Sequence, residues 1–176
     1  NSTGDEDAIP SYVEVNFNHA CNLSCSYCSP QFSSAWAAEI ERSGAYPTHI
    51  PHNDPDHFTG NRRPIPAREY NPYVEAFWEW WPTLYPELEH FRMTGGEPLM
   101  SVSFWKFLDL LNVTKKFTGT LKINTNLINH KDEIKKLIDK TKGFKVRIHT
   151  SMESNLNQAE YVRDGFDQQN WLDNVE

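Results

Sequence analysis

Apolar and polar residues alternate in four short stretches of the chain, and each alternation predicts a β-strand. In Tyr12–Asn18, Val13, Val15 and Phe17 point one way and Glu14, Asn16 and Asn18 the other. In Glu89–Thr94, Phe91 and Met93 oppose His90, Arg92 and Thr94. In Thr120–Asn126, Leu121 and Ile123 oppose Lys122, Asn124 and Asn126. In Phe144–Glu153, Val146, Ile148 and Met152 oppose Arg147, His149, Ser151 and Glu153. Between these stretches the period lengthens to that of a helix. Ser33–Arg42 reads as a helix with Ser33 or Ser34 as N-cap and Gly44 as its stop. Asn71-Pro72 is an N-cap and first-turn pair; the helix behind it turns Val74, Phe77, Trp78 and Trp81 inward and ends at Pro82 and Pro86. Ser103 is placed to cap a helix with Phe104, Phe107, Leu108 and Leu111 on one face. Lys131–Lys140 carries Ile134, Leu137 and Ile138 inward, with Gly143 as a stop, and Asn170–Glu176 opens a further helix.

This order, β-α-(insertion-α)-β-α-β-α-β-α, predicts an α/β fold with parallel strands and right-handed crossovers. Parallel strands covered on both faces read as continuous apolar runs. These four do not, because each has a polar face, and polar groups buried without partners cost a few kcal/mol each. A partial parallel (β/α) barrel meets both demands, with helices outside and Glu14, Asn16, His90, Arg92, Lys122, Asn124, Arg147, His149, Ser151 and Glu153 lining a polar lumen. A flat sheet with one solvated face is the alternative. Ligands of such barrels bind at the carboxyl ends of the strands. There the chain places a cysteine-rich loop, Gly95-Gly96-Glu97-Pro98, Thr125-Asn126 and Ser151-Met152-Glu153.

Length and charge narrow the picture. A chain of 176 residues suits one domain. Residues 1–10 read as a flexible acidic leader and 11–176 as the core, with an irregular, proline-rich insertion at 45–70. The net charge of −7 offers nucleic acid no obvious surface. No apolar run is long enough to span a bilayer and no signal peptide opens the chain. His49, His52 and His57 with Asp54 and Asp56 read as a solvated loop, a substrate lid or a second metal site. Trp78, Trp80 and Trp81 read as core or partner surface.

The three cysteines of the chain, Cys21, Cys25 and Cys28, are spaced C-x3-C-x2-C. A disulfide framework wants even numbers, and a structural zinc site wants four ligands. Three thiolates on a cubane iron–sulfur cluster leave one iron without a cysteine, and an open position is what makes a metal site reactive. Zinc completed by His19 or a distant histidine remains the other reading. Three reduced cysteines fit the cytoplasm.

The cysteine stretch, with Tyr27 before the last cysteine, resembles the radical S-adenosylmethionine (SAM) superfamily. That resemblance implies a [4Fe–4S] cluster on Cys21, Cys25 and Cys28, SAM on the fourth iron, and Tyr27 near the adenine. Gly95, Gly96, Glu97 and Pro98 resemble the motif that contacts the SAM amino group, mainly through backbone; an ordinary turn is the alternative. Thr125-Asn126 resembles a Thr-Asn-Gly strand end, with Leu127 in the glycine's place. Residues 148–153 resemble a segment whose Ser151 and Glu153 would approach the SAM ribose and carboxylate. Tyr161-Val162-Arg163, the segment Trp171–Val175 and Cys28-Ser29-Pro30 with Ser33, Ser34 and Trp36 resemble the twitch-type branch near the SPASM maturases. There Arg163 would pair with the SAM carboxylate, the alternative being a solvated loop residue.

The resemblance covers residues 12–176 apart from the insertion, and about four βα units of the family's usual six, so the chain reads as a truncated form. It implies an enzyme that cleaves SAM reductively to a 5′-deoxyadenosyl radical. That radical takes hydrogen from a polar small-molecule or peptide substrate, with electrons from a donor such as flavodoxin or ferredoxin. The rival reading is a non-catalytic module whose cysteines hold zinc or a cluster only to shape a loop.

Overall fold

The computed structural model describes residues 8–44, 49, 64–66, 68–154 and 157–176. In chain order its elements are β1 (Tyr12–Asn16), β2 (Ser24–Cys25), α1 (Ser34–Ser43), α2 (Pro72–Leu84), β3 (His90–Thr94), α3 (Val102–Thr114), β4 (Thr120–Asn124), α4 (Lys131–Thr141), β5 (Lys145–His149), α5 (Asn157–Val162), β6 (Arg163–Asp164) and α6 (Gln168–Val175). The four alternating stretches become one parallel sheet in the order β1-β3-β4-β5. Registered residues of parallel strands share a face, so Glu14, Arg92, Lys122 and Arg147 form one polar row. Val15, Met93, Ile123 and Ile148 form the apolar row beside it. Among the described residues the sheet does not close on itself: β1 and β5 each have one neighbour within it.

The apolar face makes the core. Phe91, Leu121 and Ile123 are fully buried beneath Trp81 and Leu84 of α2 and Phe104, Phe107, Leu108 and Leu111 of α3, with Leu137 of α4 beside them. Phe107 is the hub: its ring lies 4.7 Å from that of Phe91, 4.8 Å from Trp81 and 5.9 Å from Phe77, centroid to centroid. Rings at these spacings add edge and offset attraction to the area they bury.

The boundaries differ from the periodicity in instructive ways. β1, β4 and β5 stop at Asn16, Asn124 and His149, short of the predicted ends. Beyond β4 the side chains capture the backbone: Thr125 Oγ1 accepts from Leu127 N at 3.1 Å and Asn126 Oδ1 from Ile128 N at 2.8 Å. Such local bonds compete with the ladder and turn the chain. α2 runs through Pro82 to Leu84 rather than ending at the proline. One lost hydrogen bond in the last turn is outweighed by the buried Trp81 and Leu84 on either side of it. Ser101, not Ser103, caps α3, because Pro98–Met100 form a 3-10 turn that delivers the chain two residues early. Trp78 is only half-buried, with Lys106 Nζ 5.0 Å over its ring. Ile138, Ile148 and Met152, expected inward, are exposed, since α4 and β5 lie where the sheet has run out of neighbours. The pairing of β2 with β6 has no counterpart in the expected elements. Among the described residues, no helix is long and apolar enough to cross a membrane.

Candidate functional site

The loop after β1 is shaped by polar side chains that claim its backbone. Asn18 Oδ1 accepts from Ala20 N at 2.9 Å, and Asn18 Nδ2 donates to Ser101 Oγ at 2.8 Å. Ser34 Oγ accepts from Cys21 N at 3.0 Å and donates to Cys21 O at 3.1 Å. Ser33 Oγ donates to Leu23 O at 2.6 Å, and Trp36 Nε1 to Cys25 O at 2.7 Å. Cys28 N closes a turn on Cys25 O at 2.9 Å. Downstream chain backs the loop: β6 pairs antiparallel with β2, setting Arg163 opposite Cys25, and Ser26 N donates to Val162 O at 2.8 Å. Leu23, Cys25, Ala159 and Phe166 form a second, small apolar cluster behind it.

Cys21, Cys25 and Cys28 are free thiols, and all three open on one cleft. Tyr27, Gly95, Gly96, Asn126, Ser151 and Arg163 line the same cleft, with Asn124 and His149 from the strand ends. Its empty space, counted out into the open mouth, is about 630 Å³. A larger hollow of about 910 Å³ runs along β1 and α2 past Phe77 and Trp80, but no cysteine lines it. Of the residues expected at the ligand, Glu97, Pro98 and Glu153 do not line the cleft.

Glu97 has another task. It is fully buried, with Oε1 accepting from Thr125 Oγ1 at 2.7 Å and Leu99 N at 3.1 Å, and Oε2 from Asn126 N at 2.7 Å. It thus clamps the end of β3 to the end of β4. Burial pushes its carboxyl up to about 6, against these hydrogen bonds, which pull it down. Asn126, held by this clamp, reaches Asn22 Oδ1 through Nδ2 at 2.8 Å. Leu127, in the glycine's place, does adopt a left-handed φ of 57°, and Asn174 Nδ2 holds its carbonyl at 2.8 Å.

The glycines serve a close approach to the cysteine loop. A Cβ on Gly96 would lie 2.2 Å from the backbone oxygen of Ala20, and one on Gly95, at φ 112°, would lie 3.0 Å from that of Asn18. Glu97 N donates to Ala20 O at 2.6 Å, so the two loops meet main chain to main chain. Opposite them, Tyr27 Oη donates to Glu153 Oε1 at 2.5 Å, and Arg163 Nε lies 3.9 Å from Glu153 Oε2. Arg163 is buried, bonds Ser151 O through Nη1 and stacks 5.3 Å over Phe166. It is no solvated loop residue.

Three free thiols are the donors that the cleft offers to a metal or cluster. Burial raises the Cys21 and Cys28 thiols, so each holds its proton until metal displaces it. Among the described residues no three His, Cys, Asp or Glu side chains gather closely enough to hold a single metal ion. His19, the suggested fourth zinc ligand, does not line the cleft. Two buried nitrogens of cleft-lining residues, Arg163 Nε and His149 Nε2, have no hydrogen-bond partner among the described residues, though Arg163 Nε faces the Glu153 carboxylate. His52, Asp54, Asp56 and His57 lie outside the described residues. Asn22 escaped the reading of the sequence; Ser33 and Ser34 read there as a helix cap and part of a resemblance, and Asn174 only within Trp171–Val175, none of them as fixing the loops. The one available signal was small polar residues next to the cysteines. Comparison with family models, with curated proteins and with solved structures gave no match.

Proposed function

We propose that the chain is a radical SAM protein with a partial (β/α) barrel, its cysteine loop loaded with a [4Fe–4S] cluster on Cys21, Cys25 and Cys28. Reduced, that cluster supplies one-electron cleavage of SAM to methionine and a 5′-deoxyadenosyl radical, which takes a hydrogen atom from substrate. The observation that carries this reading is the convergence of three free thiols on one cleft with the Gly95-Gly96 turn and Arg163. Gly95 and Gly96 set the main chain against the cysteine loop, so backbone groups of the turn border the ligand. Arg163 supplies a guanidinium suited to a carboxylate, held in place by Ser151 O and the Phe166 ring. Tyr27, at the cleft, is held in place by its hydrogen bond to Glu153.

Anaerobic reconstitution of the full chain tests it. Iron and sulfide should each approach about four per chain, and dithionite with SAM should yield 5′-deoxyadenosine. Cys25→Ala should lose both. Stoichiometric zinc without bound sulfide, or a full cluster with no SAM cleavage, would overturn the reading.

A further inference from the structure

The polar face of the sheet carries an imbalance of charge. Arg92, Lys122 and Arg147 stand side by side in register on β3, β4 and β5. Neighbouring strands are about 4.8 Å apart, and like charges at that spacing destabilise a sheet. One carboxylate shares the row, Glu14 on β1, and it is already engaged. It accepts from Tyr12 Oη at 3.2 Å and Thr94 Oγ1 at 3.0 Å and lies 3.4 Å from Arg92 Nη1. Arg92 Nε donates to Asn124 Oδ1 at 2.9 Å, which fixes the guanidinium on the face. Lys122 Nζ lies 5.2 Å over the Tyr12 ring, and no carboxylate pairs with it. Arg147 is exposed, with no ion pair or hydrogen bond among the described residues. Glu153, which the alternation placed on this lining, is held at the rim by Tyr27 and Arg163 instead. All this occurs in a chain whose net charge is −7.

The row also lies next to the cleft. His149 pairs in register with Asn124, two residues nearer the strand ends than Arg147 and Lys122, or about 7 Å along the strand. Both His149 and Asn124 line the cleft, and His149 Nε2 is buried without a partner. Burial first, then Arg92, Arg147 and Lys122, hold its imidazole below the usual histidine range, so it stays neutral near pH 7. The fields of all three cations meet at that ring.

We propose that Arg92, Lys122 and Arg147 are an oxyanion-binding row that takes a carboxylate or phosphate group of the substrate. A ligand reaching from the cleft onto the face sets its anionic end on the row, where the uncommitted Arg147 fork offers a bidentate bond, Lys122 a point charge, and Arg92 the donors left over from Asn124 and Glu14. Three cations are too few to hold a polyanion against the protein's own negative charge, so the ligand is small. That this ligand is the substrate rests on the reading of the cleft as a radical SAM site; that the row binds an oxyanion rests on the sheet alone.

The test uses the full chain without cluster or SAM, at fixed chloride concentration. Inorganic phosphate is titrated in one arm and succinate in the other, following the arginine Nε–Hε resonances by NMR. Saturable shifts of Arg92 and Arg147 are expected in at least one arm, and the tighter arm names the source of the oxyanion. Arg147→Gln and Lys122→Gln should each weaken that affinity about tenfold, the loss of one charge-assisted bond. Lys116→Gln, a charge removed elsewhere on the surface, should leave it unchanged. Non-saturable shifts in both arms, or equal affinity in Arg147→Gln and Lys116→Gln, would overturn the row. A row that binds phosphate or succinate in a chain that never loads iron would spare this proposal and end the radical SAM reading. A chain that cleaves SAM with a silent row would do the reverse.

Discussion

The two faces of the one sheet follow opposite rules. On the covered face, Phe91, Leu121 and Ile123 meet α2 and α3 with no exposed surface, and every registered neighbour is apolar. On the open face the registered neighbours are three cations and a carboxylate, a pattern that burial could not tolerate and that stability alone would not choose. The first face holds the chain together. The second bears a like-charge cost that Glu14 offsets only at Arg92. Between them, at the strand ends, Glu97 and the two glycines lock loop to loop.

Substitutions on each face and at the rim can break or sharpen that contrast. The largest effect is expected from Phe107→Ala, which empties the hub of the covered face and should cost about 3–5 kcal/mol in denaturant unfolding. A loss under about 1 kcal/mol would mean the core is organised elsewhere. Gly96→Ala comes next: its Cβ meets the Ala20 carbonyl, a backbone atom that cannot rotate away, and about 1–3 kcal/mol should go. Its iron loading should fall too, because the cysteine loop must move.

Glu97 supplies a pH signature for the rim. Its folded-state value of about 6 stands above the ordinary 4.5, so the protonated form is favoured by folding. That contribution is fully present below pH 4.5 and is lost as pH rises through 6, an amount of about 2 kcal/mol. Wild type should therefore gain on Glu97→Gln by about that much between pH 8 and pH 4; a gap independent of pH would show the carboxyl is not strained by burial. The smallest effect belongs to the open face. Arg147→Gln should raise stability by about 0.2–1 kcal/mol at low salt, and 1 M salt should erase the gain. A loss instead of a gain would place Arg147 in an ion pair and remove the contrast between the faces.

Where one periodicity governs a stretch, the fold was legible. The alternation in His90–Thr94 and Thr120–Asn124 assigned both faces correctly, and Phe104, Phe107, Leu108 and Leu111 are buried as their spacing requires. Ends were less legible, because they are decided by competing side chains rather than by period. Thr125 and Asn126 continue the alternation on paper but capture their own backbone, and Ser101 caps α3 only because Pro98 starts a turn. Two-residue strands have no period at all, so the pairing that sets Arg163 opposite Cys25 could not be read. At the site, the strand-end loops that border the cleft were legible and the packing roles of their residues were not. Glu97 looks like a ligand group in sequence, yet it clamps two strands, while Gly96 both lines the cleft and makes room for Ala20.

That pairing of Cys25 with Arg163 has a consequence for biosynthesis. On a ribosome the three thiols emerge about 140 residues before the strand that will back them, a delay on the order of ten seconds at ordinary elongation rates. During that interval the nascent cysteines face the surroundings without Val162 or Phe166 behind them. Once the downstream segment arrives and backs the loop, the thiols are reached through the cleft at the front.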